Sequence, residues 1–388
     1  MMAPLGQLFV TGMLRSGTSL LQILLTNHPE LFVAYQPFNQ LYVDVKERFL
    51  DSAGIKRLLP LGDGISGPVH EAERFQQWLR ITEFEREDAI QLIRRSVTGK
   101  GGGATEWAPE LPAVGRRFID IQRDLHEALA RHFGKSGATW RGSKEILCEE
   151  YLPHLLDQGR RCVLVVRDPR AMIASANNGR YKNTVGDCYP ILMLARIWRK
   201  SVAYALELEG SPQFLVIRYE DLVQSTKVTL DSIARFLSVE PFTESAFSQE
   251  HLLTHAGHTW LGNSSFGDKA VVDDISMTAW MKYLTAPVID VIEALCYPEM
   301  LAMGYTPRLD IRDCARVIEN FVENPEGLRK NYLDDYTLND AERQRELLRL
   351  RTLEECSDHM SAMDNLFIWK TARGKLSKAT RKIGESFQ

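Results

Sequence analysis

The stretch "VTGMLRSGTSLLQILLTNHPE", residues 10–30, restricts the fold more than any other part of the chain. An apolar run feeds a loop with glycines at 12 and 17, and an apolar helical pattern follows at once. A strand–loop–helix unit of this kind aims backbone N–H groups and the positive end of a helix dipole at one spot, which suits an anion. Gly12 and Gly17 let the backbone wrap closely, and the Thr18 and Ser19 hydroxyls can donate to phosphate oxygens. A triphosphatase loop places a lysine directly after its second glycine. Here that position is Thr18, and the loop's positive charge is Arg15.

Further along, residues 162–166 form a second strongly apolar strand that ends at Arg167 and Asp168, and "QFLVIRYEDL" contains a third. Pro169 suits the first position of a helix. Residues 118–133 and "ILMLARIWRKSVAYALEL" have helical spacing. Continuous apolar strands alternating with helices imply an α/β chain: a P-loop-like three-layer fold with a central, mainly parallel sheet flanked by helices. Residues 1–309 are expected to form this domain, with residues 58–115 as an acceptor-shaping insertion around one amphipathic helix. Residues 310–388 read as a charged helical appendage on the outside, ending in a basic tail.

Apolar content of 44% and charged content of 25% are those of a globular chain. No apolar run is long enough to span a bilayer, and the N-terminus lacks the pattern of a secretory signal. The six cysteines form no C-x-x-C pair, as expected of reduced thiols in a cytoplasmic protein. A net charge of −4 argues against general nucleic-acid binding. The tail from Lys370 through Lys382 is basic and reads as a solvated terminus, with weak contact to an anionic membrane surface as the alternative. "GDGISG" at 62–67 matches a dinucleotide fingerprint in letters only, because no strand precedes it and Pro68 follows. It reads as a loop. Oligomeric state leaves no trace in the sequence.

Taken in order, "RSGTSLLQILLTNHP", "GSKE", "VVRDPRAMIAS", "IRYEDL" and "GNSSF" resemble the sulfotransferases that use 3′-phosphoadenosine 5′-phosphosulfate (PAPS). The likeness is closest to the branch containing Golgi carbohydrate and tyrosylprotein sulfotransferases and their bacterial relatives. It implies that residues 15–19 (Arg15, Ser16, Gly17, Thr18, Ser19) cradle the 5′-phosphosulfate, with Arg15 neutralising charge on the bridging oxygen. It also implies that Arg167 and Ser175 hold the 3′-phosphate and that Tyr219 contacts the nucleotide. Asn263, Ser264, Ser265, Phe266 and Lys269 would close over the nucleotide, and Lys144 would stand near the transferring sulfuryl group. Singly, each of these residues has an ordinary structural reading; the ordered set carries the resemblance.

One position departs from the pattern. Relatives in this branch commonly place a glutamate shortly after the first helix as general base, and the matching residue here is Gln36. An amide cannot take a proton at ordinary pH. Glu145, Glu106 and His28 are the alternative bases, while an amine or acidic phenol acceptor would need little help. This chemistry requires no metal, and His251, His255 and His258 read as surface or hydrogen-bonding histidines. The reading is thus sulfuryl transfer to a saccharide, lipid or other small molecule. A magnesium-dependent P-loop kinase and a nucleotide-binding protein with little activity are the rivals.

Overall fold

The computed structural model describes residues 5–65, 70–98, 116–180, 182, 186–248, 252–262, 264–266, 275–355 and 366–386. Among these, five strands form one parallel sheet: β1 (Gly6–Gly12), β2 (Leu31–Tyr35), β3 (Trp140–Lys144), β4 (Arg161–Val166) and β5 (Phe214–Arg218), in the order β2-β3-β1-β4-β5. Alternate residues of each strand enter different cores. Leu8, Val10, Val163 and Val165 join one apolar cluster, whereas Phe9, Cys162, Leu164 and Val166 join the other. Both faces are covered, which is why these strands read as unbroken apolar runs.

The helices of six or more residues are α1 (Thr18–Thr26), α2 (Asn39–Ala53), α3 (Glu71–Ile81), α4 (Arg86–Thr98), α5 (Phe118–His132), α6 (Leu152–Asp157) and α7 (Pro169–Asn177). There follow α8 (Ile191–Glu207), α9 (Tyr219–Gln224), α10 (Thr226–Leu237), α11 (Ala286–Ala302), α12 (Cys314–Asn320), α13 (Asp340–Glu355) and α14 (Lys370–Ser386). Helices α1 and α10 cover one face of the sheet, while α2, α5, α6 and α8 cover the other. No helix among the described residues is long and apolar enough to cross a membrane.

Two sequence expectations change. The stretch 58–115 carries two helices, α3 and α4, instead of one, and Phe75, Leu79, Leu92 and Ile93 sit in the main core. Residues 99–115 lie outside the described residues, so the lining of an acceptor pocket there stays an expectation. The segment after residue 309 lies at the surface but sends part of its side chains into the main core. Leu347, Leu353, Ala372 and Leu376 belong to the same cluster as the sheet.

Its buried charges Glu346 and Arg349 are paired. Glu346 accepts from Arg196 Nε at 2.8 Å and from Arg199 Nη1 at 2.5 Å, both on α8, and Arg349 pairs with Glu299 of α11. Burial alone would raise the Glu346 carboxyl, but Arg199 and Arg196 hold it well below the usual carboxylate range. The basic tail is equally ordered: α14 buries Ala372, Leu376, Ser377 and Thr380 and exposes Lys370, Lys378 and Arg381. It is a docked amphipathic helix, not a frayed end.

Candidate active site

The C-terminal ends of the strands line up along one edge of the sheet, where parallel α/β folds bind ligands. Val10, Lys144 and Tyr35 stand opposite one another across β1, β3 and β2, and the β1–α1 loop rises from this row. The loop needs its glycines. A Cβ on Gly17, at φ 98°, would lie 2.2 Å from the Tyr219 ring. A Cβ on Gly12 would lie 2.5 Å from the Val165 carbonyl. Arg15, with φ 63°, holds a left-handed backbone that a side-chain-bearing residue rarely adopts.

Helix α1 starts with no side-chain cap and no acidic residue in its first turn, so its leading N–H groups face the loop. The Ser16 hydroxyl, 2% exposed as a residue, is buried without a hydrogen-bond partner. An unpartnered hydroxyl beside an uncapped helix start, wrapped by glycines, fits an oxyanion such as a phosphosulfate. Thr18 is buried and Ser19 half-buried on the same turn.

Arg15 reaches away from the loop. Its Nε donates to Ser175 Oγ on α7 at 3.0 Å, its Nη2 donates to Ser265 Oγ, and the two serine oxygens are 2.6 Å apart. Ser175, expected together with Arg167 at the 3′-phosphate, is here a partner of Arg15. Arg167 instead donates to the Arg15 carbonyl at 3.0 Å and to the Ser276 carbonyl, with its guanidinium 4.2 Å from the Tyr219 ring centre. Its own carbonyl accepts from Trp198 Nε1 of α8 at 2.7 Å. Asp168 caps α7 by accepting from the Arg170 N–H, which places Pro169 at the first turn as expected.

Phe266 stacks on Tyr283 with ring centres 4.4 Å apart. Ser264 is half-buried next to Ser265; Asn263 and Lys269 lie outside the described residues.

Lys144 and Gln36 meet. Lys144 Nζ donates to Gln36 Oε1 at 3.0 Å and sits 3.8 Å from the centre of the Tyr35 ring. The Gln36 backbone, at φ 46°, donates its N–H to the Lys144 carbonyl at 2.8 Å. Burial lowers the Lys144 pKa against the opposing charge of Glu145, and Arg15 lowers it further.

Glu145 is fully buried, and its Oε1 accepts from the Phe38 N–H at 3.0 Å, at the start of α2. Burial raises its carboxyl pKa despite that bond. It anchors the segment after Gln36. His28 is also structural: its ring nitrogens meet the Glu30 N–H at 3.2 Å and the Glu240 carbonyl at 2.9 Å. Glu106 and His251 lie outside the described residues. His255 packs edge-on against Phe133, and no group of three or more metal-type ligands gathers among the described residues.

Sequence reasoning missed Tyr35 under Lys144, Trp198 behind Arg167, and Ser276. The aromatic pair had no motif around it. Ser276 contributes only its carbonyl, which any residue could supply.

A glycine-wrapped loop at the head of β1 that suits an oxyanion, with Arg15, Arg167 and Lys144 along one sheet edge, fits a group-transfer or nucleotide-binding α/β protein. The family model described as the sulfotransferase family matches residues 7–244, more than half of the chain, and the chain belongs to that family. No curated protein matches it.

Among solved structures, the sulfotransferase domain of the Synechococcus PCC 7002 olefin synthase is similar at 18% identity and TM-score 0.38, covering 82% of this chain and 96% of that one. The sulfotransferase STF9 from Mycobacterium avium is similar at 15% identity and TM-score 0.35, covering 78% of each chain. Retinol dehydratase in a complex with retinol and PAP is similar at 15% identity and TM-score 0.35, covering 79% and 84%. These overlays are too loose to transfer a residue role.

Proposed function

We propose that the chain moves a sulfuryl group from PAPS to a hydroxyl or amine of a saccharide, lipid or other small molecule, releasing adenosine 3′,5′-bisphosphate. Family membership supports the reaction class. The observation that supports it most is a pair of polar clusters on one edge, bridged by Arg15, that suit anions. One is the wrapped loop with the unpartnered Ser16 hydroxyl; the other is the point where Arg15, Ser175 and Ser265 converge beside Arg167. PAPS carries a phosphosulfate and a distant phosphate, and arginine's planar fork suits such groups.

The transfer would be in line: a bond forms from acceptor to sulfur as the bond from sulfur to the 5′-phosphate oxygen breaks. Catalysis is then mainly positioning and charge stabilisation. Residues 15–19 would hold the phosphosulfate, Lys144 would face the transferring group, and Tyr219 would brace Gly17 and Arg167. The kinase reading is not favoured, since Thr18 stands where the triphosphatase lysine belongs.

Turnover of radiolabelled PAPS against a panel of hydroxyl and amine acceptors tests this reading. Label in at least one acceptor, with bisphosphate binding that needs no magnesium, is the expected result. Tighter binding of ATP–magnesium than of bisphosphate would overturn it.

A further inference from the structure

We propose that Lys144, as the uncharged amine, is the group that takes the acceptor's proton; this rests on the sulfuryl-transfer reading above. Gln36 occupies the place of the branch's carboxylate, and an amide has no basicity to offer. Glu145 is tied to the backbone instead: its Oε1 accepts the Phe38 N–H, and it forms no hydrogen bond with Gln36 among the described residues. Among the described residues, the Lys144 amine offers a usable lone pair in contact with Gln36 itself.

The surroundings suit the amine. An ammonium has three N–H donors to satisfy. Here Nζ meets a single acceptor among the described residues, Gln36 Oε1, and the face of the Tyr35 ring, which accepts an amine N–H as well as a cation. The charged and titratable groups that face it are Arg15 from the phosphate loop, Glu145 beside it and Cys148 from the turn after β3. Arg15 is permanently cationic and repels a second cation, while burial raises the pKa of both Glu145 and Cys148, favouring their neutral forms.

A glutamate at position 36 would hold Lys144 as an ion pair; glutamine does not. One substitution thus removes one base and releases another. The proton balance is simple. The acceptor–sulfur bond forms, the bond to the 5′-phosphate oxygen breaks, and the acceptor's proton moves to the Nζ lone pair. The new ammonium appears as the departing phosphate gains a negative charge, which it stabilises. Solvent takes the proton back after release.

The test follows labelled transfer from PAPS to the best acceptor of the panel, from about pH 6 to about pH 10, with bisphosphate affinity measured in parallel. For wild type the rate should rise with pH to a plateau. Lys144→Arg, always charged, should lose on the order of 100-fold or more in kcat with bisphosphate affinity nearly kept. Lys144→Arg/Gln36→Glu should recover transfer, with its pH limb moved into the carboxylate range.

A rate that falls with rising pH, or a Lys144→Arg enzyme as fast as wild type, overturns the proposal. Should Lys144→Arg not fold, Lys144→Ala with added methylamine decides. Rescue in proportion to free amine supports the proposal, and no rescue overturns it. If wild type binds bisphosphate but labels no acceptor, the sulfuryl-transfer reading fails first.

Discussion

Arg167 donates to the Arg15 carbonyl at 3.0 Å, so the end of β4 and the phosphate loop form one piece. That bond helps hold Arg15 in its left-handed backbone, the conformation from which its side chain reaches Ser175. Arg167→Ala is therefore expected to weaken bisphosphate binding by about 1–3 kcal/mol, and Arg167→Lys to recover only part of it. Calorimetry on both variants checks this; unchanged affinity would remove Arg167 from the site.

Gly17 touches Tyr219 with no room to spare. A methyl group there would lie 2.2 Å from the ring at a φ of 98°, so Gly17→Ala must displace either the loop or the tyrosine. The expected cost is about 1–3 kcal/mol of stability, together with loss of donor binding. Gly17→Ala/Tyr219→Leu should recover stability more than binding. Denaturant midpoints and bisphosphate titrations on the same samples would show the split.

Glu346 is shared by two buried arginines, Arg196 and Arg199, and Glu342 is a second anionic partner of Arg196. Glu346→Gln leaves them without their shared anion and should cost about 3–5 kcal/mol, the usual penalty for breaking a buried pair. A chain ending at residue 309 should fare worse and fail to fold as a soluble unit. Urea unfolding of the point variant, and the solubility of the shortened chain, check these outcomes.

Acid should destabilise the fold through His126. Its ring lies between Gln7 Oε1 at 2.9 Å and Ser143 Oγ at 3.0 Å, and burial lowers its pKa from 6.5 to about 3. Between those values the unfolded chain holds a proton that the folded chain refuses. Stability is therefore complete above about pH 6.5 and falls as pH drops towards about 3. By about pH 4 the loss from this group should be of the order of 3 kcal/mol. His154, lowered to about 4, acts in the same direction. His126→Gln should give a flatter acid limb in melting temperature against pH; an unchanged slope would exclude His126 as its source.

Much of the sheet edge around the glycine loop was legible because its signals are local. The glycine loop, the apolar run of β4 and Pro169 each declare an element within a dozen residues. The short run "LFVAY" became β2, although five apolar residues can equally end a helix. The Arg15–Ser175–Ser265 cluster spans 160 and 250 residues, and no single-chain pattern reports such a meeting. The C-terminal helices were misread for a related reason. "DAERQRELLRLRTLEE" looks solvated, and charged residues are almost never fully buried unless paired. Their partners, Arg196 and Arg199, lie on a helix whose own pattern looked complete.

The Glu346 pairing also sets an order of events during synthesis. Its partners Arg196 and Arg199 are made 150 and 147 residues earlier, a delay on the order of ten seconds at ordinary elongation rates. Throughout that interval α8, which carries the Trp198 brace for Arg167, has two cations that cannot yet be buried at low cost. The glycine loop is encoded near the start of the sequence, yet the wall behind Arg167 closes only after the late helices leave the ribosome. A nascent chain stalled before residue 346 would offer a chaperone the uncovered side of α8 and α11.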